Sequence, residues 1–151
     1  MNNLCIIPAR GGSKRIPRKN IKDFLGKPII AYSIEAAIKS NLFEEIMVST
    51  DDREIAETAQ KYGAKVPFFR SDDNANDFAT LAGVLIEVVN QYKELGREFE
   101  NICCILPTAP LTSANRIKEA FTKFVDENLE SVLQVVEFSY PIFRALEFDE
   151  N

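Results

Sequence analysis

Short apolar runs alternate along this chain with longer stretches whose apolar positions recur every three or four residues. Residues 4–8 (Leu-Cys-Ile-Ile-Pro) read as a buried strand, and Pro28 opens a helix with Ile30, Ile34, Ala37, Ile38 and Leu42 on one face. Glu45–Ser49 predicts a second strand. Asp51 is placed to cap the following helix, with Glu54 three residues on, Ile55, Ala56, Ala59 and Tyr62 inward, and Gly63 at its end. Residues 65–69 predict a third short strand and residues 70–77 a polar loop. A helix over 80–95 turns Leu81, Leu85, Val88, Val89 and Tyr92 to one side and stops at Gly96. Residues 101–106 form a near-continuous apolar strand. Thr112 or Ser113 caps a last helix with Ile117, Ala120, Phe121, Phe124 and Val125 inward. Residues 131–136 predict a fifth strand, and residues 140–151 show no period.

Apolar strands separated by amphipathic helices predict a three-layer α/β fold, a mainly parallel sheet covered on both faces, in a single domain spanning residues 1–151. In such sheets ligands sit at the carboxyl ends of the strands, in the crevice where strand order reverses. The segments at those ends are residues 9–20, 50–52, 70–80 and 107–113. With the first and fourth strands as neighbours at the reversal, the first segment faces Pro107-Thr108-Ala109-Pro110.

Charge singles out that first segment. From Arg10 to Lys22 the chain carries Arg10, Lys14, Arg15, Arg18, Lys19 and Lys22 and no acid, which leaves −11 on the rest of a protein whose total is −5. A cationic loop on an acidic body suits a polyanion such as a nucleoside triphosphate. Gly11-Gly12 lets backbone N–H groups approach phosphate oxygens and adopt positive φ where a nest needs it. Lys14 and Lys19 supply mobile point charges, Arg10 a fork for two oxygens, and Pro8 and Pro17 stiffen the ends. The plain reading is a solvated basic loop with a Gly-Gly turn. No Gly-Lys-Ser/Thr closes a P-loop and no G-x-G-x-x-G is present.

Composition narrows the chemistry. The chain has no histidine, so histidine general bases, Ser-His-Asp and Cys-His systems and histidine metal sites are excluded. Nucleotidyl transfer fits the remaining groups, because it needs positioning and charge neutralisation more than a protein nucleophile. Cys5, Cys103 and Cys104 lie in apolar runs without framework spacing, which predicts core filler in a reducing, cytoplasmic setting. Apolar runs are too short to span a bilayer, no signal-peptide pattern opens the chain, and a single basic loop without interleaved aromatics does not suggest nucleic acid.

The string Ile-Pro-Ala-Arg-Gly-Gly-Ser-Lys-Arg-Ile-Pro-Arg-Lys-Asn-Ile closely resembles the signature of the acylneuraminate cytidylyltransferases, the CMP-sialic acid synthetases. Gly26-Lys27-Pro28, Val48-Ser49-Thr50-Asp51-Asp52, residues 67–70 and Pro107-Thr108-Ala109-Pro110-Leu111 extend the likeness over the chain. Ser139-Tyr140-Pro141 and Arg144-Ala145-Leu146 look most like the pseudaminic acid branch. The resemblance implies a nucleotide-diphospho-sugar transferase fold of Rossmann-like type. It also implies attack of a nonulosonic acid's anomeric hydroxyl on the α-phosphorus of CTP, releasing pyrophosphate, with Mg²⁺. Carried over, Arg10 and Lys19 hold the triphosphate and stabilise the reacting phosphate, and Gly11, Gly12, Ser13 and Lys14 cradle the outer phosphates. Asn20 orders the loop or touches the nucleotide, Arg70 and Thr80 approach the cytidine, backbone near Ala9 reads the base, and the backbone of Pro107 and Thr108 lies close by.

Structural readings stand beside these: Asp51-Asp52 as a helix cap, Arg70 paired with Asp72 or Asp73, and Asp77 and Thr80 as N-caps. Sialic acid synthetases usually carry glutamine where this chain has Leu106, and a buried leucine cannot hydrogen-bond a sugar, which disfavours N-acetylneuraminate. Family chains are longer, and their metal-binding aspartates and dimerisation arm come after the counterpart of Asn151. A C-terminally truncated form, with no identified metal ligands and a homodimer left open, is therefore expected. Two other readings follow: a nucleotidyltransferase for another sugar acid such as deoxyoctulosonate, and a nucleotide-binding module without turnover.

Overall fold

The computed structural model describes residues 2–137. The chain forms two compact units, Met1–Glu119 and Ala120–Asn151. The elements are β1 (Asn3–Pro8), a 3₁₀ turn (Lys19–Ile21), β2 (Asp23–Phe24), β3 (Lys27–Pro28), α1 (Ile29–Ser40), β4 (Glu45–Ser49), α2 (Arg53–Lys61), α3 (Asp72–Ala75), α4 (Leu81–Glu94), β5 (Asn101–Cys104) and α5 (Ala114–Asp126).

In the first unit, β1 is the central strand of a parallel sheet ordered β4-β1-β5, with Ile6 opposite Met47 on one side and Cys104 on the other. Each of its residues from Leu4 to Ile7 is fully buried, as a strand covered on both faces requires. Alternation splits them: Cys5 and Ile7 pack with Ile30, Ile34, Ala37, Ile55, Ala59 and Ile117 on one face, whereas Leu4, Ile6 and Met47 meet Val88 and Tyr92 of α4 on the other. This is the expected helix–sheet–helix layering. Chain order places β4 to one side of β1 and β5 to the other, so strand order reverses at β1.

Several expectations need correction. Residues 65–69 are not a strand. Lys65 makes one parallel bridge to Met47, donating to Ile46 O at 2.8 Å and accepting from Val48 N at 2.9 Å. Pro67 then removes the N–H that a ladder needs. Residues 131–137 form no strand, and Val132, Leu133, Val135 and Val136 are exposed; the pattern is strand-like, but no partner strand pairs with it among the described residues. On α4, Val84, Val88 and Tyr92 are buried and Leu85 packs against the same cluster as expected, whereas Leu81 is exposed. Ile38 and Val125 are also exposed. Ser113 is the cap of α5, its Oγ accepting from Arg116 N at 3.2 Å. The aperiodic stretch at residues 140–151, and the motifs at 139–141 and 144–146, lie outside the described residues.

Candidate active site

The β1 carboxyl end delivers residues 9–20 to the rim between β4 and β5. Ala9 remains buried and extends the ladder by one bond, its N–H donating to Ser49 O at 2.9 Å. Arg10 then leaves the sheet. Its Nη1 donates to Asn76 O at 2.8 Å and meets Asp77 Oδ1 at 2.9 Å. Lys14 pairs with the other oxygen of Asp77. Asp77 is therefore no helix cap but an anion held between two cations, and Lys14 with Arg10 draws its carboxyl below the usual range.

The glycines work by closeness rather than by unusual backbone angles, since neither Gly11 nor Gly12 has positive φ. A Cβ on Gly11 would come within 2.8 Å of Asp52 Oδ2, and Gly11 N–H donates to Asp51 Oδ1 at 2.8 Å. A carboxylate thus occupies the amide expected to face phosphate. Gly12 has open space around it, and Ser13 N–H closes a tight turn onto Gly11 O at 2.9 Å. Lys19 is exposed on the 3₁₀ turn. Asn20 is buried; its Nδ2 donates to Arg10 O at 3.0 Å, tying the loop's end to its start, while its Oδ1 has no partner among the described residues.

Arg18, which in the sequence is one of six cations with no feature to set it apart, is bound to α2. Its Nη1 and Nη2 fork onto Asp52 at 2.5 and 2.8 Å, and Nη2 also reaches Glu54. Asp52, not Asp51, caps α2, accepting from Ile55 N at 3.0 Å. The fork holds the Asp52 carboxyl down at about 2 and raises the Arg18 guanidinium further still.

Arg70 is buried and forms no pair with Asp72 or Asp73. Its Nε donates to Ser49 Oγ at 3.0 Å and Nη2 to Ser49 O at 2.6 Å, at the carboxyl end of β4. Burial lowers its pKa, and Asp51 and Glu87 oppose that only through space. Glu87 in turn holds the loop before α4, accepting from Ser71 N at 2.8 Å, Ser71 Oγ at 3.0 Å and Asn74 Nδ2. Thr80 caps α4, its Oγ1 accepting from Gly83 N at 3.0 Å. Pro107 is buried and Thr108 exposed in a turn closed by Ala109 N–H on Leu106 O. Leu106 is 49% exposed, not buried, because β5 is over by Cys104 and Leu106 sits at the rim.

The structure therefore gathers Ala9, Arg10, Gly11, Gly12, Ser13, Lys14, Asn20 and Arg70 with Asp51, Asp52 and Asp77. Pro107 and Thr108 follow the neighbouring strand, as the β1–β5 pairing requires, but no hydrogen bond joins that turn to the basic loop among the described residues. The cations turn toward the carboxylates on the β4 side instead. No three of His, Cys, Asp and Glu converge as a metal cluster among the described residues. None of their helices is long and apolar enough to cross a membrane.

Residues 4–144 match the family model described as cytidylyltransferase. The chain belongs to the cytidylyltransferase family. Along its whole length it is 49% identical to a pseudaminic acid cytidylyltransferase of Campylobacter jejuni, of which it covers 65%. It is 41% identical over 120 residues to a CMP-N,N'-diacetyllegionaminic acid synthase of Legionella pneumophila, a match covering 80% of this chain and 52% of that one. Among solved structures it resembles a CMP:2-keto-3-deoxy-manno-octonic acid synthetase complexed with CTP, with TM-score 0.70 and 25% identity over 85% of this chain and 49% of that one. The chain thus spans less than two thirds of the length of this curated relative and about half of the solved one. The nucleotide-diphospho-sugar transferase type of fold is shown by these likenesses and by the parallel three-layer sheet.

Proposed function

We propose that this chain carries the CTP-binding part of a cytidylyltransferase that activates a nonulosonic acid, with pseudaminic acid as the favoured substrate. The observation that carries the reading is the cationic segment from Arg10 to Asn20 at the carboxyl end of β1, beside the buried guanidinium of Arg70, which contacts no carboxylate among the described residues. The 49% identity along the whole chain favours pseudaminic acid over deoxyoctulosonate, for which the solved neighbour is only 25% identical.

In this reading the anomeric hydroxyl oxygen attacks the α-phosphorus of CTP. The new O–P bond forms as the bond to the bridging oxygen breaks, pyrophosphate leaves with that electron pair, and the hydroxyl proton passes to solvent or a base. Arg10 and Lys19 neutralise triphosphate charge, Lys14 and the open Gly12 backbone face outer oxygens while Gly11 and Ser13 shape the turn through their own bonds, and Arg70 adds a fixed positive charge beneath the rim. Asn20 orders the loop through the Arg10 carbonyl. Mg²⁺ belongs to the proposal and, when bound, would supply neutralisation of phosphate charge. The described residues do not assemble a protein cage for it.

The test is pyrophosphate release from CTP with pseudaminic, N-acetylneuraminic and deoxyoctulosonic acids, measured alongside CTP binding by calorimetry. Pseudaminic acid is expected to give the fastest release. Binding without release from any sugar would assign a nucleotide-binding module, and absence of CTP binding would end the reading. Arg10→Ala is expected to weaken CTP affinity about tenfold or more, since a charge-assisted contact contributes roughly 1.5–3 kcal/mol.

A further inference from the structure

The basic loop is fastened at both ends to the amino end of α2. At its start, Gly11 N–H bonds Asp51 Oδ1, and its Cα packs so closely on Asp52 that no side chain fits. At its far end, Arg18 forks onto the same Asp52 and onto Glu54. Arg18 also takes the left-handed conformation, φ 54°, that a non-glycine residue adopts only at some cost. Immediately after it come Lys19 and buried Asn20, whose Nδ2 returns to the Arg10 carbonyl.

We infer that Arg18 and Asp52 form a positioning clamp. The guanidinium of Arg18 serves not as a phosphate ligand but as the tie that holds the left-handed turn and thereby places Lys19, Asn20 and Arg10 at the rim. The inference rests on the reading that this loop seats the triphosphate. Three features separate it from an ordinary surface ion pair. The pair is bidentate and partly buried, with Asp52 22% and Arg18 38% exposed. Its carboxylate already serves as a helix cap, so it is fixed before Arg18 arrives. Its backbone conformation is one that the side chain's contacts have to maintain. Arg18 spends its donors on Asp52 and Glu54, so it adds little charge to the seat it shapes.

Two variants separate the clamp from its by-products. Arg18→Gly relieves the positive φ while removing the fork, and Asp52→Ser keeps a good helix cap while removing the charge. With the full 151-residue chain, CTP affinity is measured by calorimetry and stability by thermal unfolding. Each variant is expected to bind CTP about tenfold more weakly, as small displacements of charge-bearing groups do. The melting temperature should change little for Arg18→Gly, and the double variant should lose little more than either single one. Unchanged affinity in Arg18→Gly, or fully additive losses in the double variant, overturns the clamp. Arg10→Ala serves as the reference: if it too leaves CTP binding intact, the phosphate-seat reading falls. If only Arg10→Ala weakens binding, the seat stands and the clamp falls.

Discussion

The two ends of β4 hold buried charges of opposite sign and opposite fate. At its start, Glu45 is buried and receives hydrogen bonds from Tyr92 Oη, Arg97 Nη1 and, at 2.9 Å, Lys65 Nζ. Burial alone would raise its pKa, but those donors outweigh it and hold the carboxyl below the usual range. Arg97 also lies over the rings of Tyr92 and Phe99, at 5.4 and 5.0 Å. At the other end, Ser49 holds the Arg70 guanidinium through neutral oxygens, with no carboxylate in contact among the described residues. One charge is completed by the protein and serves the fold. The other is left incomplete at the rim where a ligand is expected, which is how a binding group differs from a structural one.

Breaking the completed end should have the largest effect. Glu45→Ala strands the Tyr92 hydroxyl and leaves Arg97 only its longer bridge to Glu44, and is expected to cost about 2–4 kcal/mol in chemical unfolding, with CTP affinity of the folded fraction unchanged. The reverse outcome, intact stability and lost binding, would erase the contrast. Arg70→Met should show the opposite profile: CTP binding weaker by roughly tenfold, with stability held or improved because a desolvated charge is gone.

Acid gives a smaller, sharper comparison at the rim itself. Asp52 falls from an ordinary 3.8 to about 2 on folding, so its contribution is complete above pH 4 and is lost as pH falls through about 2. Unfolding followed from pH 5 to 2 should show an acid limb that flattens in Asp52→Ser; an unaltered limb would mean that Arg18 does not act on this carboxyl in solution.

The layering of the fold was legible because periodicity marks β1, α1, β4, α2, α4 and β5 directly. Its errors arose where pairing, not pattern, decides. Residues 131–136 are rich in apolar, β-branched side chains yet meet no strand among the described residues, and Pro67 halts the ladder that Lys65 begins. Within the site, the place of Arg10 and Gly11 could be read from their position just after β1, and Asn20 and Arg70 from the family resemblance. Arg18 could not. On paper it is one cation among six, and its role depends on carboxylates 34 and 36 residues away and on a backbone angle that no local motif announces. Likewise Asp51 and Asp52 are indistinguishable as letters: spacing to Glu54 favoured the first as cap, whereas the coordinates give the cap to the second and a glycine amide to the first.

Asp77 has a bearing on how salt should act. Because its carboxylate already bridges Arg10 and Lys14, an incoming nucleotide exchanges one anion for another and does not meet bare cations. Fewer mobile counterions are then set free than a tally of basic side chains implies, and affinity should fall with ionic strength more gently than that tally would suggest.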